Sequence, residues 1–316
     1  MEKMPNVRLY VGEMAFGDRP FEVTDPTVNP RDFQFRGDSE LFLKEHVQRL
    51  VIERFPPGWK HGAAIDMDFH FTRHDVALET IHQLQHYAWV QMFSQYADLS
   101  GETYSTGHRV IGTNNGFAFN YIQNGFRLPD GYENGGWRRR DIPVDDDYHY
   151  AMAMGVGGLP GVGATGGAWA FTREGYETCG GLLDKCILGH GDWFMTFGLV
   201  GEEAPDMHID GYSADYRQYI HAWQQNAARL KKNIGYVDGF ATHFFHGSKN
   251  RRAYSSRDLI LVRNQYSPTY DLIANYQGIY HLTGNKPALR DDIRRYMISR
   301  NEDDPNLYSI NGGPAR

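Results

Sequence analysis

With 316 residues, 41% of them hydrophobic and 14% aromatic, the chain is long enough to bury a substantial core as one large α/β domain or two small ones. Its net charge of −7 argues against wholesale electrostatic adhesion to nucleic acid. No run approaches the roughly 18 consecutive apolar residues of a membrane span, and the N-terminal MEKMPNVRLYVGEM lacks the apolar stretch of a secretory signal, so a cytoplasmic location is expected.

In chain order, VRLYVGEMAF (7–16) is β-prone with partial alternation, and residues 40–54 place Leu41, Leu43, Val47, Leu50 and Val51 at near-helical spacing before the stop at PPG (56–58). AAID then reads as a short buried strand, and 75–93 restores a helical stripe through Leu78, Ile81, Leu84 and Ala88. This β, α, β, α order predicts an α/β fold with a mostly parallel central sheet flanked by helices. Residues 101–166, rich in glycine, asparagine and charge (TNNG, PDGYENGGW, VDDD, GVGGLPGVGATGG), read as a long loop-rich insertion over the active site. Order resumes with the strand-like AWAF, followed by a helical stretch near 214–232, an apolar strand ending in ATHFFHGSKNRRAYSSR and a helical tail. Segments 1–100, 101–166, 167–280 and 281–316 thus read as a first α/β half, a loop-rich insertion, a second half and a helical tail within one domain. Cys179 and Cys186 are too few for a disulfide framework or a four-thiolate zinc site and read as reduced core residues.

Two stretches point to metal and phosphate chemistry. GAAIDMDFHF (62–71) sets Asp66 and Asp68 at i and i+2 where a strand ends, the place where ligands gather beyond a parallel sheet. Two hard carboxylates suit Mn2+ or Mg2+, ions that commonly hold a diphosphate at the same time. THFFHGSK (242–249) adds imidazoles, the close-approach Gly247 and the cation Lys249. Asp192 follows a glycine at an expected helix start, where it either caps the helix or faces a cleft. GVGATG (161–166) fits the dinucleotide pattern only in spacing, because no strand precedes it and no helix opens after it, so its glycines are assigned to a loop close to substrate. HQLQH lacks the glutamate of a zinc protease motif, leaving His82 and His86 as decoration on a helix. The basic runs WRRR (137–140) and KNRR (249–252) read as solvated surface.

Together these stretches resemble a GT-A glycosyltransferase, a nucleotide-sugar-dependent enzyme with a Rossmann-like sheet and a D-x-D motif. The resemblance runs from about Val7 to Arg300. VGEMAFGDRPFEVT resembles the first strand and base-proximal loop, and LFLKEHVQRLVIERFPPGWKHGAAIDMDFHF resembles the helix, loop and D-x-D strand of transferases often found in bacteriophage genomes. GGAWAFTREGYETCGGLLDKCILGHGD is similar to an acceptor-side segment that ends in Glu-Asp, here Gly191-Asp192. HFFHGSK resembles the H-F-x-G-x-x-K ending of glycogenin-like transferases. The resemblance implies Asp66 and Asp68 as metal ligands together with His243 or His246, and Asp192 as catalytic base. It also implies Lys249, Gly247, Arg36, Lys44, Gly167 and Trp169 as contacts to a UDP-linked or similar donor, with Trp169 either stacking on a sugar or sitting in the core. A base opposite the leaving group implies inversion of the anomeric centre, and the lack of a carboxylate there would imply retention.

The acceptor is left open among a small molecule, a protein, a glycan and a hydroxymethylated base in phage DNA, with GYENGGWRRRDIP as a candidate DNA contact. A metal-dependent hydrolase of nucleotide-sugar diphosphates would need the same ion and acids, and a non-catalytic nucleotide-sugar-binding module would need Asp68 but not Asp192.

Overall fold

The structure is a computed structural model that describes residues 7–104, 107–124, 162–202, 209–247, 250–254 and 256–302. It is mixed α/β, and the chain divides into two compact units. The first comprises residues 1–62, 172–233 and 258–295, the second 63–171, 234–257 and 296–316.

In the first unit, strands Val11–Phe16 and Asp32–Gly37 pair in parallel with Val11 opposite Asp32. The segment between them is tied back by one carboxylate: Glu13 accepts from the backbone N–H groups of Glu22, Val23 and Thr24 (2.7, 3.1 and 2.8 Å) and from the Thr24 hydroxyl (2.7 Å). Helix Lys44–Ile52 turns Leu50, Val51 and Ile52 inward, as its sequence spacing predicts. Its buried His46 contacts Asp184 (3.1 Å), which also accepts from the Tyr219 hydroxyl (2.8 Å) and lies 3.6 Å from Arg49. These partners offset the desolvation of Asp184, which is 4% exposed, and hold its carboxyl below the usual range.

Helix Arg173–Cys179 is closed at both ends by local chemistry: the Thr172 side chain accepts from Gly175 N, and Gly180 takes the left-handed conformation at φ 82°. Helix Ala214–Ala228 opens on Ser213, whose hydroxyl accepts from Tyr216 N. It buries Tyr216, Ile220, Trp223, Gln224 and Ala227. Helix Gly191–Leu199 approaches it so closely that a Cβ on Gly198 would lie 2.9 Å from Gln224 Cγ and 3.1 Å from Gln224 Cα. The stretch expected to be a helical tail is more varied: helices Leu259–Arg263 and Pro268–Asp271 precede a hairpin of Leu272–Ala274 with Tyr280–Leu282, and then comes helix Pro287–Arg300.

The second unit carries two four-stranded sheets of mixed direction rather than a mostly parallel one. The first runs in the order His61–Ile65, Ala168–Thr172, Trp89–Gln91, Ile234–Tyr236; Trp89–Gln91 is antiparallel to Ala168–Thr172 and parallel to Ile234–Tyr236. The second runs Phe69–Phe71, Phe240–His243, Gln95–Tyr104, Gly107–Asn115. Here Phe240–His243 is parallel to Gln95–Tyr104 and antiparallel to Phe69–Phe71. Val90, Met92, Phe93, Ala168, Ala170, Val237 and Ala241 form the shared core.

Two sequence expectations are corrected in this unit. The helix expected over 75–93 ends at Gln83, and Trp89–Gln91 is a strand. Residues 89 to 93 are all buried, the polar Gln91 included, so the run carries no inward-outward period to separate strand from helix. The expected loop from 101 begins instead as an antiparallel hairpin, Gln95–Tyr104 with Gly107–Asn115, followed by helix Phe117–Asn124. Residues 125–161, including Trp137 to Arg140, lie outside the described residues.

Because a side chain at position 198 would press on the backbone of the facing helix, Gly198→Ala is expected to destabilise the fold by about 1–3 kcal/mol. Urea denaturation would show this as a lower midpoint with an unchanged slope.

Candidate metal centre

The D-x-D acids sit in a turn between strands His61–Ile65 and Phe69–Phe71, with Asp66 N bonded to Gly167 O (2.8 Å) and Phe69 N to Asp66 O (3.1 Å). Phe244 N donates to Asp68 O (2.9 Å), which stitches this turn to the end of strand Phe240–His243. The register then sets His243 opposite Phe69 on one side and opposite Asp98 on the other. Residues far apart in sequence are thereby brought to one place.

Asp68, His243 and His246 form a cluster with the spacing of a metal site. Asp68 Oδ2 lies 2.8 Å from His246 Nε2 and 3.3 Å from His243 Nε2, and the two Nε2 atoms are 3.2 Å apart. Bonds of about 2.0–2.2 Å to one ion, in octahedral or tetrahedral geometry, separate neighbouring ligand atoms by about 2.8–3.6 Å. Asp68 Oδ1 is buried with no hydrogen-bond partner. That orphaned oxygen and the two converging imidazoles fit a divalent ion. Asp66 is not a member of this cluster.

The surroundings support the same three side chains. His243 Nδ1–H donates to Asp98 Oδ1 (2.8 Å), and Asp98 is 5% exposed. His246 Nδ1 lies 3.8 Å from Glu302 Oε1, which also receives Arg300 (2.6 Å). Arg252, expected on the surface, is instead buried, with hydrogen bonds to the Tyr254 hydroxyl (2.9 Å) and His246 O (3.2 Å). It is held inside because its guanidinium is paired with the loop that carries His246. Burial pulls the His243 pKa down, but hydrogen bonds and attraction to Asp68 and Asp98 outweigh it and hold the imidazole up at about 9. Burial likewise opposes, and the contacts with Asp68 and Glu302 overcome, in raising His246. Despite burial, the two imidazoles hold Asp68 far below the usual carboxylate range.

The other expected site residues have local partners. In the second unit, Gly167 has φ 95° and leaves room for Phe69, whose ring a Cβ would meet at 2.7 Å. Trp169 is 8% exposed and its indole N–H donates to Thr165 O (2.8 Å), so it is a core tryptophan. Gly247 has φ 101°, and a Cβ there would lie 2.8 Å from Glu302 Cγ. Lys249 lies outside the described residues. The GVGATG glycines that are described belong to a loop, with Gly163 at φ 79° and Ala164 O accepting from Gln91 (2.8 Å).

In the first unit, Arg36 donates to Gly17 O (2.9 Å) and stacks over Phe21 at 4.3 Å, organising the segment after the first strand. Asp192 stands in the first turn of helix Gly191–Leu199, with Oδ1 accepting from Trp193 N (2.8 Å) and Oδ2 3.7 Å from Lys44 Nζ. Lys44 Nζ is also 3.4 Å from Glu45. Of the two histidines assigned to a helix, His82 is on one, paired with Glu79 (2.9 Å), and His86 lies past its end.

Asp98, Glu302 and Arg252 escaped the sequence reading. The signal for Asp98 was an acid set between Ala97 and Leu99, both buried strand residues; a charge there calls for a partner. Comparison of the chain with family models, with curated proteins and with solved structures returns no match.

The metal-free protein should respond to pH with a definite sign. The His243 pKa is raised from 6.5, so its pairing contributes full stability below that value and is lost as pH climbs through about 9. Depression of Asp68 from 3.8 adds stability above that value, lost on acidification. Chelator-treated protein should therefore show a Tm that falls between about pH 6.5 and 9 and levels off beyond, and thermal scans of Asp68→Ala should show a shallower decline over that window.

Proposed function

We propose that this chain is a metal-dependent glycosyltransferase of GT-A type, moving a sugar from a nucleoside-diphosphate donor to an acceptor hydroxyl. What carries the reading is the meeting of Asp68 with His243 and His246, with Oδ2 of the acid 2.8 Å from one imidazole and 3.3 Å from the other. The sequence resemblance singled out Asp66 and Asp68 together with either His243 or His246, and three of these four residues make up the cluster.

Asp68, His243 and His246 would hold Mn2+ or Mg2+, with Asp66 on the same turn adding negative charge. When bound, the ion supplies positive charge to the diphosphate and so eases departure of the leaving group. Lys249 is the proposed second cation for that diphosphate, and Gly247, lacking a side chain, would let the backbone approach it. Asp192 as the base that takes the acceptor's proton is a separate part of the proposal with its own test. The acceptor is proposed to be a hydroxymethylated base in DNA, with a glycan, protein or small molecule as the alternatives.

A hydrolytic reading draws on the donor set. Two imidazoles and one carboxylate are ligands typical of catalytic centres that keep a water on the ion, and such a centre would cleave the diphosphate of a nucleotide sugar with no acceptor.

Asp68→Ala is expected to abolish Mn2+-dependent binding of UDP, and equal calorimetric affinity with and without Mn2+ in the wild type would remove the basis of the proposal. Asp192→Asn should retain UDP binding yet lose sugar transfer by about 100-fold or more; full transfer by that variant excludes it as the base. Incubating the protein with a panel of nucleotide sugars, with and without hydroxymethylated DNA, separates the readings. Added sugar mass on the DNA supports the proposed acceptor, whereas a nucleoside monophosphate and a sugar phosphate as products mark the hydrolase.

A further inference from the structure

We propose that Asp98 is the positioning residue of a two-imidazole, one-carboxylate centre, and that this ligand set selects a first-row transition ion such as Zn2+ or Mn2+ over Mg2+. The inference rests on the metal-dependent reading above and narrows it.

An imidazole has two nitrogens, and which one can serve as a ligand depends on what the other is doing. His243 Nδ1 is occupied by Asp98 at 2.8 Å, and Asp98 comes from the neighbouring strand at the directly paired position. Burial at 5% exposure keeps water from competing for that carboxylate, so the ring cannot turn without stranding a charge. Nε2 is therefore the nitrogen presented to Asp68. His246 repeats the arrangement more loosely: Nδ1 faces Glu302 at 3.8 Å, and Nε2 faces Asp68 at 2.8 Å. Glu302 is in turn anchored by Arg300 and lies 3.6 Å from Arg252.

Two imidazoles backed by carboxylates make strong nitrogen donors. Nitrogen suits transition ions, whereas Mg2+ prefers oxygen ligands and retains its waters. With Asp66 outside the cluster, Asp68 is the one oxygen ligand in it, fewer than a hard ion prefers. The expected order of affinity is Zn2+ above Mn2+ above Mg2+.

The sign of one substitution separates positioning from a rival role. If Asp98 served only to keep a proton on His243, removing its charge would relieve competition and tighten metal binding. If it orients the ring, Asp98→Asn weakens binding, because the amide can donate to Nδ1 and leave the proton on Nε2. The experiment is calorimetric titration of chelator-stripped wild type, Asp98→Asn and Asp98→Ala with ZnCl2, MnCl2 and MgCl2. Expected are measurable Zn2+ and Mn2+ binding and no Mg2+ heat in the wild type. In Asp98→Asn, Zn2+ affinity should fall by about 10–100-fold, with the preference for Zn2+ over Mg2+ narrowing. Unchanged or tighter Zn2+ binding in that variant, or Mg2+ binding equal to Zn2+ in the wild type, overturns the inference. Should the Asp98 variants fail to fold, spin-echo spectroscopy of Cu2+-loaded wild type decides: modulation from two ligated imidazoles is expected, and one or none overturns the proposal. A wild type that binds none of these ions defeats the metal-dependent reading itself. Binding that is indifferent to Asp98 defeats only the positioning role.

Discussion

The parallel pairing of strand Phe240–His243 with Gln95–Tyr104 is the constraint on which the candidate centre depends. Side chains alternate between the faces of a strand, so a slip of one residue would send His243 to the opposite face and away from Asp98. Apolar packing is what resists that slip. Ala241 and Ala97 are fully buried in the same sheet, and either would exchange places with a polar neighbour if the register moved. The antiparallel partner Phe69–Phe71 adds a second lock, since its start lies one residue after Asp68. Backbone geometry thus does the positioning, and side chains inherit it.

Electrostatics then makes the cluster tolerable. Burying Asp68 and Asp98 near each other would be strongly unfavourable without cationic partners, and His243 stands between them at 3.3 and 2.8 Å. The acids raise the imidazole's proton affinity, and the imidazole lowers that of Asp68. In the metal-free molecule a proton occupies the place that a cation would take. A divalent ion entering here would have to displace that proton, so its affinity should rise with pH.

The turn and loop of the candidate site were legible in the sequence because each follows a short apolar run: AAID before Asp68, and the strand that ends at His243. What failed had physical causes. WVQMF is buried on both faces, so helix and strand were indistinguishable by period. The hairpin at 95–115 is exposed at Val110 and Ile111, so it lacks the inward-outward contrast that marks a half-buried strand. Asp98 was invisible as a site residue because its partner is 145 residues away, and no local pattern encodes a contact of that range. Arg252 looked like part of a solvated basic run until its carbonyl and hydroxyl partners were known. Trp169 remained ambiguous in sequence, and its indole N–H resolves the matter by finding a backbone carbonyl inside the unit.

The close fit of Gly247 under Glu302 bears on the biogenesis of the centre. Its parts are drawn from residues 68, 98, 243, 246 and 302, so a nascent chain leaving the ribosome holds only fragments of the candidate site until translation has passed Glu302. Early-made acids such as Asp68 wait for histidines synthesised much later. Assembly of the candidate site is consequently an event that follows the synthesis of Glu302.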